Sequence, residues 1–255
     1  MPIQHKFLNY DWNNGFYTEN SILKNKYYLP EVLFIGTFNP MTPNDNHADF
    51  FYGRNWFWPV FKNLFIENAY VLNSRRMPAN GAPNHPLNPT IEEIFGICKK
   101  AKLSFADMIT GVFPETNNYR LLNNDNVVFN DVEYNLINDN ERNNIGGLAE
   151  LDALNQIIWN IENITDYLCK NPQITNVYFT RRPTGIWLQK WNELINSKCS
   201  KKIEYGAIYT PSAARLDGNP RMEMLIKHWL FNDNNNYLTL DHEWLIRNGV
   251  NPNNF

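Results

Sequence analysis

The sequence is poor in cysteine, has no long apolar run and carries no excess of positive charge. Its three cysteines, Cys98, Cys169 and Cys199, are odd in number and far from any paired Cys or His spacing. That pattern argues against a disulfide framework and against a zinc site, and predicts buried thiols. No stretch approaches the roughly 18 apolar residues that a membrane span needs, so no membrane partner is expected. Met1 to Tyr10 contains His5 and Lys6 but neither an apolar core nor a small-residue cleavage site, which predicts a cytoplasmic rather than a secreted protein. The formal net charge is −3, and because nucleic-acid binders usually carry a basic face, bulk charge weighs mildly against such a partner. Charge can be local, however. Arg75-Arg76, Lys99-Lys100, Arg181-Arg182 and Lys201-Lys202 are paired basic sites, which fit a phosphate-facing surface about as well as ordinary solvated helix ends and turns.

What the sequence does have is length and a strong hydrophobic pattern. A chain of 255 residues, 43% of them hydrophobic, is long enough for one large α/β domain with its own core, and the whole of 1–255 is read as one domain. Val32-Leu33-Phe34-Ile35, closed by Gly36, reads as a central strand buried on both faces, as in a parallel sheet. The spacing of Phe57, Trp58, Phe61, Leu64 and Phe65 predicts an amphipathic helix over Asn55 to Phe65. A proline-rich surface loop over 73–90 contains Pro78, Pro83, Pro86 and Pro89. It leads into a helix from Thr90 to Lys100, opened by a Thr90/Glu93 capping box. Leu103 to Ile109 is a second strand.

An Asn-rich stretch of about 117–145 reads as an insertion. Leu148 to Leu168 then predicts the longest helix, stopped by Asn171-Pro172. Ile174 to Thr180 is a strand, Pro183 to Ile195 a helix with proline in its first turn, Ile203 to Tyr209 a strand and Asn219 to Leu230 a helix. A polar tail over 232–255 holds one helical turn near His242 to Ile246. This alternation predicts an α/β three-layer sandwich, with a central mostly parallel β-sheet flanked by helices on both faces.

In open parallel sheets ligands gather at the carboxyl ends of the strands, so the residues following each strand carry the functional information. Here these are Gly36 to Asn55, Asp107 to Phe113, Thr180 to Pro183 and Thr210 to Gly218. In Gly36-Thr37-Phe38-Asn39-Pro40, glycine allows a tight reversal and proline holds Asn39 extended, which aims an amide into a pocket.

The segments Phe34 to Pro40, Phe50-Phe51-Tyr52-Gly53 and Asn55-Trp56-Phe57-Trp58-Pro59 together resemble the first motif region of the uracil-DNA glycosylase superfamily. They are most similar to the branches specific for mismatched uracil and for hypoxanthine, in which a Gly-x-Asn-Pro or Gly-Ser/Thr-Phe-Pro core precedes an aromatic Asn-x-Phe-Trp helix start. Thr210-Pro211-Ser212-Ala213-Ala214-Arg215-Leu216 resembles the superfamily's second motif. The resemblance runs at motif level from Leu33 to Leu230 and is weakest in the middle third. The sequence departs from the pattern twice. Asn39 stands three residues after Gly36, where the family keeps its Asp or Asn two after, and Thr210 replaces the histidine that some branches carry.

The resemblance implies a uracil-DNA glycosylase-like fold. It also implies a monomeric, monofunctional DNA glycosylase without cofactor or metal, which hydrolyses the N-glycosidic bond of a flipped deaminated or modified base. Such chemistry needs a water held on the sugar face and hydrogen-bond donors for the departing base. Asn39 and Asn55 are the rival water-orienting residues, since an amide oxygen can position a water without being a strong base. Gly36, Thr37, Phe38, Phe51, Tyr52 and Asp107 are candidates for the base pocket, with Phe51 or Tyr52 stacking on the base. Asp107 fits a cap on the next turn better than a contact to a base edge. Thr210, Ser212, Arg215, Leu216 and Arg181 are candidates for contact with DNA, Ser212 at a phosphate and Arg215 and Leu216 as the wedge that fills the vacated stack. Tyr178 and Arg182 fit the same phosphate-facing edge, with salt bridges as the alternative use of the arginines. No lysine stands at a motif position, so lyase chemistry is not expected. Two alternatives remain open: a non-catalytic binder of nucleic acid or nucleotide on the same fold, and an N-glycosidase acting on free nucleosides.

Overall fold

The computed structural model describes residues 3–41, 50–52, 55–70, 89–112, 147–197, 199, 202–213, 216, 221–231 and 236–255. The Asn-rich insertion, nearly all of the proline-rich loop and Arg215 lie outside these residues. In chain order the elements are β1 (Ile3–Gln4), β2 (Phe16–Glu19), β3 (Ile22–Asn25), β4 (Val32–Gly36), α1 (Phe57–Lys62), α2 (Ile91–Ala101), β5 (Leu103–Asp107), β6 (Ile109–Val112), α3 (Gly147–Ala153), β7 (Ile157–Trp159), α4 (Ile161–Lys170), β8 (Asn176–Phe179), α5 (Gly185–Ile195), β9 (Glu204–Ala207), α6 (Arg221–Phe231) and α7 (His242–Arg247).

A six-stranded sheet runs β2-β3-β5-β4-β8-β9. Its core, β5-β4-β8-β9, is parallel, and β3 and β2 extend it as an antiparallel hairpin. Because side chains alternate along a strand, Val32 and Phe34 of β4 enter one hydrophobic cluster while Leu33 and Ile35 enter the other. The first cluster receives Phe57 and Phe61 of α1, Phe95 of α2, Trp229 of α6 and Trp244 of α7. The second receives Leu151 of α3, Leu168 of α4 and Trp187 and Trp191 of α5. Helices therefore cover both faces of a mixed sheet, an α/β arrangement compatible with three layers.

Four expectations are corrected. The stretch read as one long helix over Leu148 to Leu168 is α3, β7 and α4. Asn155 takes a left-handed φ of 55° that ends the first helix, and Ile157 to Trp159 pair with β6 instead of continuing it. β6 and β7 form, with β1, a separate three-stranded antiparallel sheet, so the strand read as Leu103 to Ile109 breaks at Met108. The residues from 236 onward are not a polar tail, since Leu240, Trp244, Leu245 and Val250 are buried in the first cluster. Lastly, Cys169 and Cys199 are joined in a disulfide and only Cys98 is a buried thiol; a pairing across 30 residues has no local signature.

Smaller adjustments follow the same logic. Pro183 precedes Thr184, the N-cap of α5, rather than sitting in its first turn. α1 passes into a π-helical turn over Asn63–Glu67, where buried Asn63 donates its side-chain N–H to the Pro59 carbonyl at 3.0 Å. The Thr90/Glu93 capping box is present in both directions. Among the described residues no helix is long and apolar enough to cross a membrane.

Candidate active site

β4 and β5 are parallel neighbours in a register that sets Gly36 opposite Asp107. A side chain on Gly36 would occupy the space that Asp107 and Tyr52 use: a Cβ there would lie 2.2 Å from Asp107 Oδ1 and 2.9 Å from Tyr52 Oη. The glycine is thus required by close approach of two polar groups over the strand end.

Asp107 is the centre of the arrangement, not a turn cap. Its Oδ2 accepts from His5 Nε2 at 2.7 Å and from Asn39 Nδ2 at 2.6 Å. Asp107 and His5 are 1% and 2% exposed. The Phe7 N–H donates to His5 Nδ1 at 2.9 Å, so that nitrogen carries the lone pair and Nε2 carries the proton. The imidazole faces the carboxylate as a neutral donor. Asp107 Oδ1 is buried with no hydrogen-bond partner among the described residues. Leaving a buried acceptor unmade costs about 1–3 kcal/mol, and more when the group is charged, so an orphan of this kind asks for a functional explanation.

His5 is brought to the site by the short strand that precedes the hairpin. His5 N–H donates to the Thr110 carbonyl at 2.8 Å, Lys6 N–H to the Asn39 carbonyl at 2.7 Å and Met41 N–H to the Gln4 carbonyl at 2.8 Å. Residues 4–6 therefore lie between β6 and the loop after β4. Thr37 supports the same region through its carbonyl, which accepts from Ile109 N–H at 3.1 Å. Asn160, fully buried, donates its side-chain N–H to the Asp107 carbonyl at 3.0 Å and fixes the backbone beneath the carboxylate.

Tyr52 closes the other side. Its ring stacks on Phe57 with centroids 4.5 Å apart, and its hydroxyl is hydrogen-bonded at 3.3 Å to Thr180 Oγ1, just past β8. Burial first, and the negative charge of Asp107 second, push the Tyr52 phenol well above its ordinary pKa. The backbone of Tyr52 is left-handed, with φ of 59°, and so is that of Ala213 in the loop after β9, with φ of 51°. Non-glycine residues held in this region are strained and collect at functional sites.

The two loops that carry the motifs meet. Trp56 N–H donates to the Pro211 carbonyl at 2.9 Å, and Trp229 Nε1 donates to the Tyr209 carbonyl at 2.8 Å. The turn itself is held by Ala213 N–H on the Thr210 carbonyl at 2.9 Å, with Thr210 Oγ1 and Ser212 Oγ 3.2 Å apart.

Not every residue singled out in the sequence is placed for the role expected of it. Gly36, Asn39, Tyr52 and Asp107 come together, and Phe38 stands at their edge, half-buried with its ring 6.0 Å from that of His5. Asn55 is turned to a structural task, since its Oδ1 accepts from Phe57 N–H at 2.9 Å and opens α1. Phe51 is fully buried, packed against Phe7 and Phe105, so it has no free face for a base. Leu216 is 7% exposed within the first cluster and is not available as a wedge. Tyr178 is buried, and its hydroxyl accepts from Asp241 N–H at 2.8 Å, which ties α7 to the sheet. Arg181 lies over the Trp187 ring at 5.1 Å, and Arg182 is exposed. His5 is the site residue that the sequence reading missed. It lies 102 residues from Asp107 in a segment without a motif, and no sequence signal marks it. Among the described residues no group of three His, Cys, Asp or Glu side chains is placed to hold a metal ion.

No protein-family model matches the chain, and no curated protein or solved structure matches it either.

Proposed function

We propose that the chain is a monofunctional DNA glycosylase with a uracil-DNA glycosylase-like fold. It acts as a monomer and without a cofactor, and it hydrolyses the N-glycosidic bond of a flipped deaminated or modified base in DNA. The observation that carries this reading is the meeting of the two motif loops. The Trp56–Pro211 hydrogen bond joins the chain after β4 to the turn after β9, and the buried Asp107–Asn39 pair lies at the same ends of the parallel strands. Such strand ends are where ligands of open α/β sheets collect. Asn39 holds its amide nitrogen on Asp107, which turns the amide oxygen away from the carboxylate as an acceptor for water. Phe38 and the exposed part of Tyr52 supply aromatic surface for a base.

The test is incubation of the protein with single- and double-stranded oligonucleotides bearing uracil, hypoxanthine, xanthine or bulky modified pyrimidines, followed by alkaline cleavage. Strand scission at the modified position is expected for at least one of them. A folded protein that cleaves none of the panel rejects the reading.

A second reading has one observation in its favour. Asn55, the asparagine aligned with the aromatic helix start, uses its oxygen to open α1, which suits a non-catalytic nucleic-acid binder on the same fold. Binding of the same oligonucleotides without release of any base would support it.

A further inference from the structure

The buried carboxylate has an asymmetry that neither motif accounts for. Both donors, His5 Nε2–H and Asn39 Nδ2–H, fall on Oδ2, while Oδ1, on the side of Gly36 and Tyr52, is buried and has no hydrogen-bond partner among the described residues. Two short hydrogen bonds on one oxygen lock the carboxylate plane, so the position of the other oxygen is set by the protein. The histidine does this without neutralising the acid, because Nδ1 is occupied by the Phe7 N–H and the ring bears a single proton. His5 has both ring nitrogens engaged, Nε2 on Asp107 and Nδ1 on the Phe7 N–H, so it has no group free for a substrate.

We propose that Asp107 Oδ1, rather than an amide of Asn39 or Asn55, takes the proton of the attacking water, and that His5 is the positioning residue that aims it. This role rests on the glycosylase reading above. The water oxygen bonds to C1′ of the sugar as the C1′–N bond breaks. The electron pair of that bond leaves with the base, one water proton passes to Asp107 Oδ1, and the anionic base is protonated from solvent. Asp107 then returns its proton to solvent, and sugar and base are released. The titratable groups facing Asp107 are His5 from the N-terminal strand and Tyr52 from the loop after β4. Burial first, and the charge of Asp107 second, raise the Tyr52 phenol, so it remains a neutral hydroxyl beside the carboxylate at neutral pH.

The experiment uses the full chain and the panel oligonucleotide that the wild type cleaves fastest, with single-turnover rate and DNA affinity measured separately. Asp107→Asn keeps the shape and an acceptor for His5 and Asn39. It is expected to lower the rate by at least about 100-fold while affinity changes by less than about threefold. His5→Phe, which removes the donor, is expected to fall by about 10-fold or more, and His5→Gln, which can again present an N–H to Oδ2, to regain most of that loss. Circular dichroism and thermal melting monitor folding, and Asp107→Ser is read in the same way if Asp107→Asn does not fold. An Asp107→Asn rate within about threefold of wild type overturns the proposal. So does equal loss in His5→Gln and His5→Phe, which would reduce His5 to packing. Wild-type protein that releases no base overturns the glycosylase reading and this role with it, and is distinguished by the inactivity of the unmutated chain.

Discussion

At Gly36 a methyl group would meet Asp107 Oδ1 at 2.2 Å and Tyr52 Oη at 2.9 Å. Neither neighbour gives way cheaply, because Asp107 is held by two hydrogen bonds and Tyr52 is stacked on Phe57. Gly36→Ala is therefore expected to destabilise the protein by about 1–3 kcal/mol, as over-packing does elsewhere, and to displace the carboxylate. A urea unfolding midpoint equal to wild type would contradict this. At this scale the site was partly legible in the sequence. Gly36 and Asn39 stand out beside a proline at a strand end, and Asp107 stands out by its place at the end of β5. What could not be read is that Asp107 reaches across to Gly36 and that His5 reaches Asp107. Those contacts follow from the β4–β5 register and from the path of residues 4–6 beside β6.

Among the elements, α7 shows how a polar segment can belong to the core. Asp241 caps it by accepting from Glu243 and Trp244 N–H at 2.8 and 3.3 Å. Trp244 is buried with its ring 5.4 Å from that of Phe65, and its Nε1 donates to the Ala101 carbonyl at the end of α2 at 2.8 Å. Trp244→Ala removes a large buried ring and orphans that carbonyl, so a loss of about 3–5 kcal/mol in unfolding free energy is expected from chemical denaturation. A loss below about 1 kcal/mol, the level of an ordinary surface substitution, would return the segment to the status of a tail. The same comparison explains which elements sequence patterning finds. α2 was legible because its cap, its apolar stripe and its basic last turn agree. The α3-β7-α4 unit was not, because Leu151, Ile157, Ile158 and Ile161 satisfy helical spacing while Asn155 and Asn160 break it. Only pairing of Ile157 to Trp159 with β6 selects the strand.

For the molecule as a whole, burial of phenols and of one thiol predicts lability to alkali. Desolvation raises Tyr28, Tyr52 and Tyr178 well above their ordinary value and pushes Tyr167 and Tyr205 up to about 12; it raises the Cys98 thiol as well. In the unfolded chain tyrosines release their protons near about pH 10. A group whose folded pKa is raised stabilises the fold fully below the unfolded value and ceases to do so as pH climbs through the folded one. The urea midpoint is accordingly expected to fall between about pH 9 and about pH 12, with tyrosinate absorbance appearing together with unfolding; midpoints that stay level over that window would refute it. By itself the amino-acid sequence determined the alternation of apolar strands and amphipathic helices, and hence an α/β layering, because side-chain period and burial are local properties. It also determined where strand ends put unusual residues. Only the tertiary structure decided the mixed strand order, the second sheet, the Cys169–Cys199 pair and the His5–Asp107–Asn39 cluster. Each of these joins residues far apart in the chain, and no local pattern encodes which distant partner satisfies a buried polar group or an open strand edge.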